Sequence, residues 1–186
     1  VTDNFFGDGL VFEDSLPLDW VPCPLPQGAE LARLNADDQQ LLGAVASLEQ
    51  ARVHEPLKHE SPALMQELQR LEFKLDILLR LTAEIAMRHA ALPPARRLRL
   101  AARGLEWLDF GPGAASATGL LLLYVNPAIP QPLKLPCRVA GERLVAGKTA
   151  TQFEYHGIGE TVAELIDKFI FRHHRRSIAG AKHPGA

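Results

Sequence analysis

Residues Ser61 to Ala91 read SPALMQELQRLEFKLDILLRLTAEIAMRHAA, and the rest of the chain is organised around them. Ser61 is a favourable helix N-cap and Pro62 suits the first helical position. No Gly or Pro follows until Pro93 and Pro94, which stop the helix. Leu64, Leu68, Leu71, Leu75, Leu78, Thr82, Ile85, His89 and Leu92 recur at alternating steps of four and three. This is a heptad seam with Leu68, Leu75, Thr82 and His89 at a and Leu64, Leu71, Leu78, Ile85 and Leu92 at d. Such a helix runs about 45 Å. It is longer than a small domain is wide, so it is expected to project and to meet other helices.

Upstream, Asn35 to about His54 reads as a first helix, with Asn35 as cap and Asp37 and Asp38 at the positive end of the dipole. Leu41, Leu42, Val45, Leu48 and Arg52 give a partial four-three pattern, and His54 to Glu60 is the connection. Two helices so joined are expected to fold back as an antiparallel pair. The long seam asks for more. Met65, Leu79, Leu81 and Ala86 carry the apolar surface onto e and g, where a two-stranded parallel coil wants charge, and Glu67 at g would face Glu72 at e of a partner. A homo-oligomer is expected, a tetramer before a dimer. Residues 1–34, with Pro17, Pro22, Pro24 and Pro26, read as loop with a short strand at Leu10 to Phe12 and Trp20 as an apolar anchor, packing on the main domain.

From Ala95 the texture changes to short strands. Arg97 to Leu100, Leu105 to Phe110, Leu120 to Val125, Leu133 to Leu135, Cys137 to Val139 and Thr149 to Tyr155 are separated by Gly and Pro punctuation. This predicts an antiparallel β-barrel or sandwich. Val162, Leu165, Ile166, Phe169 and Ile170 then form one apolar stripe of a terminal helix packed on it. The fold class is therefore α+β. The domain reading is an N-terminal segment over 1–34, a helical oligomerisation region over 35–92, the barrel with its helix over 95–176 and a flexible tail over 177–186.

In this order the elements from Arg97 to Arg176 resemble a PilZ domain, the small β-barrel that bacteria use as a receptor for cyclic di-GMP. A strand enters a Gly turn at Leu98 to Gly104, and Leu105-Glu-Trp-Leu108 follows. Leu120 to Val125 leads through Asn126 to Pro132 into Leu133 to Val139, Gln152 to Tyr155 forms a late strand, and the ending Ile170-Phe-Arg172 is similar to that of the family's last helix. The family's ligand motifs are degenerate here. The Arg-x-x-x-Arg clamp belongs before the barrel, where this chain has its long helix and Pro93-Pro94. Arg99 with Arg103 and Arg172 with Arg176 have the spacing but lie elsewhere. In Asp/Asn-x-Ser-x-x-Gly, Gly104 matches, but Ala101 holds the Ser position and Arg99 the acid position. Losing those charge-assisted contacts is expected to weaken cyclic di-GMP binding by orders of magnitude.

The resemblance implies an oligomeric, bacterial, cytoplasmic interaction protein around cyclic di-GMP signalling, in motility, type IV pili or virulence, with an unidentified protein partner and no bound cyclic di-GMP. The alternative is a nucleotide receptor using Arg96, Arg97 and Arg103 with Arg99. Other chemistry finds little support. Net charge is −2, and few aromatics lie near the basic groups, which argues against nucleic acid. Nine acids lie in residues 1–50 against the single base Arg33, so an acidic head is expected to meet the basic patches. Cys23 and Cys137 match no metal spacing and read as reduced thiols. His54 and His59 read as solvated loop residues, and His173 and His174 as a solvated basic helix end. No cofactor, metal or enzymatic activity is expected, no apolar run reaches the length of a membrane span, and no signal-peptide pattern is visible. The first residue is Val rather than Met, so preceding residues are expected.

Overall fold

A computed structural model describes residues 5–6, 9–50, 62–89, 92–110, 117–126, 129–145 and 147–181. Six strands form a closed antiparallel barrel, and three helices accompany it. The strands are β1 (Phe12–Pro22), β2 (Ala95–Ala101), β3 (Gly104–Leu108), β4 (Thr118–Leu123), β5 (Leu133–Val145) and β6 (Lys148–Tyr155), and the helices are α1 (Gly28–Gln50), α2 (Pro62–His89) and α3 (Glu160–Ala181). Around the barrel the order is β1-β2-β3-β6-β5-β4.

The N-terminal segment is not a loop resting on the barrel: β1 closes it. Residues Phe12 to Pro17 pair with Leu100 to Ala95 of β2, and Leu18 to Pro22 pair with Leu123 to Gly119 of β4. Its prolines are tolerated because the partner changes along the strand. Pro17 stands where pairing with β4 is about to begin, and its carbonyl there accepts the Tyr124 N–H. Trp20 turns inward, 9% exposed, with its ring centroid 4.9 Å from that of Phe153. Gly119 makes room for it, since a Cβ there would stand 2.7 Å from the indole.

The two short strands expected around Pro136 are one strand. In β5, Pro136 faces Leu120 of β4, just before pairing with β6 begins at Cys137. Its carbonyl accepts the His156 N–H at the very end of that ladder, where a residue that cannot donate in return is tolerated. A bulge between Val139 and Gly141 then bends β5 into the long hairpin with β6.

The barrel is filled by Leu18, Leu98, Leu100, Leu105, Leu121, Leu123, Leu133, Leu135 and Phe153. The same core continues into Leu41, Leu42 and Val45 of α1 and Val162, Ile166, Phe169 and Ile170 of α3. Thus α1 packs against α3 and β5, and comparable packing along α2, as in the expected helix pair, is not seen among the described residues. Its start also differs. The helix begins at Gly28, so Asn35 is interior rather than a cap. The Asn35 amide donates to the carbonyls of Leu31 and Gly157 and accepts the Gly159 N–H, tying α1 to the entry of α3. Asp38, 3% exposed, accepts the Lys134 N–H at 2.9 Å and fixes α1 to β5. Helix α3 runs to Ala181, past the expected boundary at 176. The loop residues His54 and His59, the cap Ser61, the turn 111–113 and the last five residues lie outside the described residues.

Candidate functional site

Two surfaces carry the residues that the sequence singles out. The first is α2. Leu64, Leu68, Leu71, Leu75, Leu78 and Ile85 are between 41% and 58% exposed. Leu79 and Leu81 beside the seam are also exposed, as is Phe73 on another face of the helix. Thr82 donates its hydroxyl to the Leu78 and Leu79 carbonyls, so an a position that breaks the apolar row satisfies itself within the helix. Leu92 is half-buried beyond the helix end, and the side chain of His89 lies outside the described residues.

The second surface is the outward face of β2 and β3, which holds the degenerate motif. Leu98 and Leu100 point into the barrel, whereas Arg97 and Arg99 point out. Ala101, which holds the Ser position of the motif, is buried at 4% exposed. Arg96 and Arg103 are exposed, and neither forms a salt bridge among the described residues. Glu106 of β3 lies opposite Arg99 across the ladder and is 0% exposed. Arg99 donates to it at 2.8 Å, Arg143 at 2.7 Å and Gln152 at 2.9 Å. Burial alone would raise the Glu106 carboxyl. Hydrogen bonds from Arg143 and Gln152 and the charges of Arg143 and Arg99 outweigh it and hold the group below the usual carboxylate range.

The neighbouring cations are paired as well. Arg97 meets Glu13 at 3.0 Å, and Lys148 meets Asp109 at 2.9 Å. Asp109 holds a left-handed φ of 68° at the end of β3. These pairs rim a shallow groove floored by Leu108 and Val145. Four cations, Arg97, Arg99, Arg143 and Lys148, are thus set against three carboxylates, Glu13, Glu106 and Asp109. A polyanionic ligand would have to displace those carboxylates or bear their repulsion. Arg97, Arg99 and Arg143 are thus each engaged by a carboxylate rather than free.

Glu106, Arg143 and Gln152 escaped the sequence reading, yet one signal was available for Glu106. A two-residue turn at Ala102-Arg103 places Arg99 opposite it by counting. Arg143 lies past the bulge, where counting fails. The acidic head meets the basic patches at Glu13 with Arg97 and again at Glu49 with Arg172, 3.2 Å. His173 is no solvated helix end. Its ring packs 4.2 Å from Phe169 and 5.2 Å from Phe12, with Nε2 3.0 Å from Glu49. Cys23 and Cys137 are unpaired, and burial pushes the Cys137 thiol well up. Among the described residues no three His, Cys, Asp or Glu side chains gather as metal ligands, and no helix is long and apolar enough to cross a membrane.

Comparison with known proteins agrees with this architecture. The sequence profile of a family described as "Atypical PilZ domain, cyclic di-GMP receptor" matches residues 42–183. A solved structure of a protein from Xanthomonas campestris is similar in fold, with a TM-score of 0.73 at 24% identity, over 94% of this chain and 93% of that one. That protein is described as a tetrameric PilZ domain self-assembled via an unusual helical bundle. No curated protein matches the chain.

Proposed function

We propose, from the premise that this chain belongs to the atypical PilZ domain family, that it is an oligomeric interaction protein. Its helix α2 assembles the subunits, and its barrel presents a protein-binding surface in bacterial cyclic di-GMP-related signalling. The observation that carries the reading is the seam of half-exposed Leu and Ile along α2. So long an apolar row on a projecting helix calls for burial against other helices. The spill of apolar residues onto e and g favours a bundle over a two-stranded coil, and the helical bundle of the Xanthomonas campestris tetramer supports the same reading. The role is that of an adaptor in the cytoplasm, with no catalysis assigned, and with motility, type IV pili or virulence as its setting.

In this reading the motif face does not take up cyclic di-GMP, because Glu13, Glu106 and Asp109 already engage Arg97, Arg99, Arg143 and Lys148. One observation favours the alternative of a receptor. Arg96 and Arg103 are exposed and form no salt bridge among the described residues. Sedimentation of the full chain, together with calorimetric titration with cyclic di-GMP, tests both. A multi-subunit species with no binding heat is expected. A monomer would end the assembly reading. Saturable heat that is lost on changing Arg96, Arg97 or Arg99 would establish the receptor instead.

A further inference from the structure

The N-terminal residues Phe5 and Phe6 form a turn whose rings meet edge to face, with centroids 5.0 Å apart. They lie on the motif face. The Arg99 guanidinium stands over the Phe6 ring, Cζ 5.4 Å from its centroid. Phe5 sits on Gly104, where a Cβ would come within 3.0 Å of two of its ring carbons. Both rings are half-buried, yet neither belongs to the barrel core. The two motif positions Arg99 and Gly104 thus do a joint job here. The guanidinium offers a cation to one aromatic face, and the missing side chain leaves a notch for the next ring.

We propose that this face is an acceptor for two adjacent aromatic side chains, filled in cis by Phe5-Phe6. A protein segment bearing such a pair is the partner that displaces them. The proposal deepens the interaction role by naming its surface. Among the described residues the turn is held by one cation–π pair and partial ring burial, and neither ring joins the core, which places the contact at the low-stability end of the structure. What keeps it filled is the tether. Phe6 lies a few residues before β1, so the turn is presented to its site at an effective concentration of about millimolar. A free peptide must compete with that. Because the two rings are neutral, the surface recognises them without breaking the Arg97–Glu13 or Arg143–Glu106 pairs.

The test uses the full chain, its F5A/F6A variant and a synthetic peptide of this chain's own residues Thr2 to Leu10 as the probe. The Gly104 amide and the Arg99 Nε–H are followed by NMR. The variant is expected to move both signals, and the peptide to return them toward their original positions saturably. The unmodified chain is expected to need at least about tenfold more peptide, because its tethered turn competes. Adding Arg99→Ala to the variant is expected to weaken the peptide by about two- to fivefold, the worth of one exposed cation–π contact. Unmoved signals in the variant, no response of the variant to peptide, or equal affinity for both proteins would each overturn the proposal. Sedimentation of both proteins reads assembly separately, since neither substitution touches α2.

Discussion

Replacing Leu71, Leu75 and Leu78 together by Ser puts the assembly reading to its strongest test. These side chains are 52%, 57% and 58% exposed on the protomer. Full burial of a Leu contributes about 1.5–3 kcal/mol, so burying the exposed half in a helical bundle contributes about 1 kcal/mol each. The triple substitution then removes about 3 kcal/mol per protomer and about 12 kcal/mol from a tetramer. Spread over three association steps this is about 4 kcal/mol each, or about a thousandfold in each dissociation constant. Ser also costs about half a kcal/mol of helix propensity per site. A control that replaces Gln66, Arg70 and Glu84 by Ser carries a comparable penalty away from the seam. Sedimentation velocity over a dilution series is expected to show the seam variant as smaller species at concentrations where the control and the parent remain assembled. Circular dichroism tracks the helix itself. An unchanged sedimentation coefficient for the seam variant, or equal dissociation of the control, would refute the reasoning.

Three further outcomes follow from the buried polar groups. Glu106→Gln is expected to destabilise the chain by about 2 kcal/mol at neutral pH. That is less than the roughly 3–5 kcal/mol for a fully buried pair, because Arg99 and Arg143 keep 29% and 32% of their side chains exposed. Since the carboxyl is held low, its contribution is present above the ordinary carboxylate pKa and fades as pH falls through the folded value, so the deficit should shrink in acid on denaturant titration. Asp38 has the opposite sign. Burial raises it from 3.8 to about 6, so the folded state loses stability as pH climbs through that interval, by about 3 kcal/mol in all. Asp38→Asn should therefore match the parent near pH 4 and exceed it above pH 7, and a parallel pair of stability curves would contradict this. Asn35→Ala leaves the part-buried Gly159 N–H without its acceptor and removes the exposed contact to the Gly157 carbonyl. It should cost about 0.5–1.5 kcal/mol, with hydrogen exchange rising first where α1 meets α3.

Legibility in the sequence divides by the range of the signal. The strands at Leu98, Leu105, Leu120 and Phe153 were readable because a short alternating or continuous apolar run bounded by Gly and Pro is written in neighbouring residues. β1 was not, because its prolines at 17 and 22 read as loop. What makes Pro17 acceptable is a change of ladder partner from Leu100–Ala95 to Leu123–Gly119, distant in sequence. Pro136 misled in the same way. At the candidate site, Arg99 and Gly104 were found by motif spacing. Glu106 and Arg143 were not, because a carboxylate alternating with apolar residues looks solvated until the side chains that cover it are known. Asn35 looked like a cap because local chemistry favours Asn there, whereas its partners come from the entry to α3.

The sequence by itself determined the local order: a long heptad helix, a run of short strands, a terminal amphipathic helix and a family motif whose acid and hydroxyl had been lost. Each is a periodicity or a residue identity, which a chain carries before it folds. Tertiary structure alone decided that the first strand closes the barrel, that α1 sides with α3, and that Arg99 is paired with Glu106 while Phe6 lies under its guanidinium and Phe5 on Gly104. These outcomes depend on which distant groups share a buried surface. Desolvation and ion pairing act through space, so no spacing along the chain encodes them.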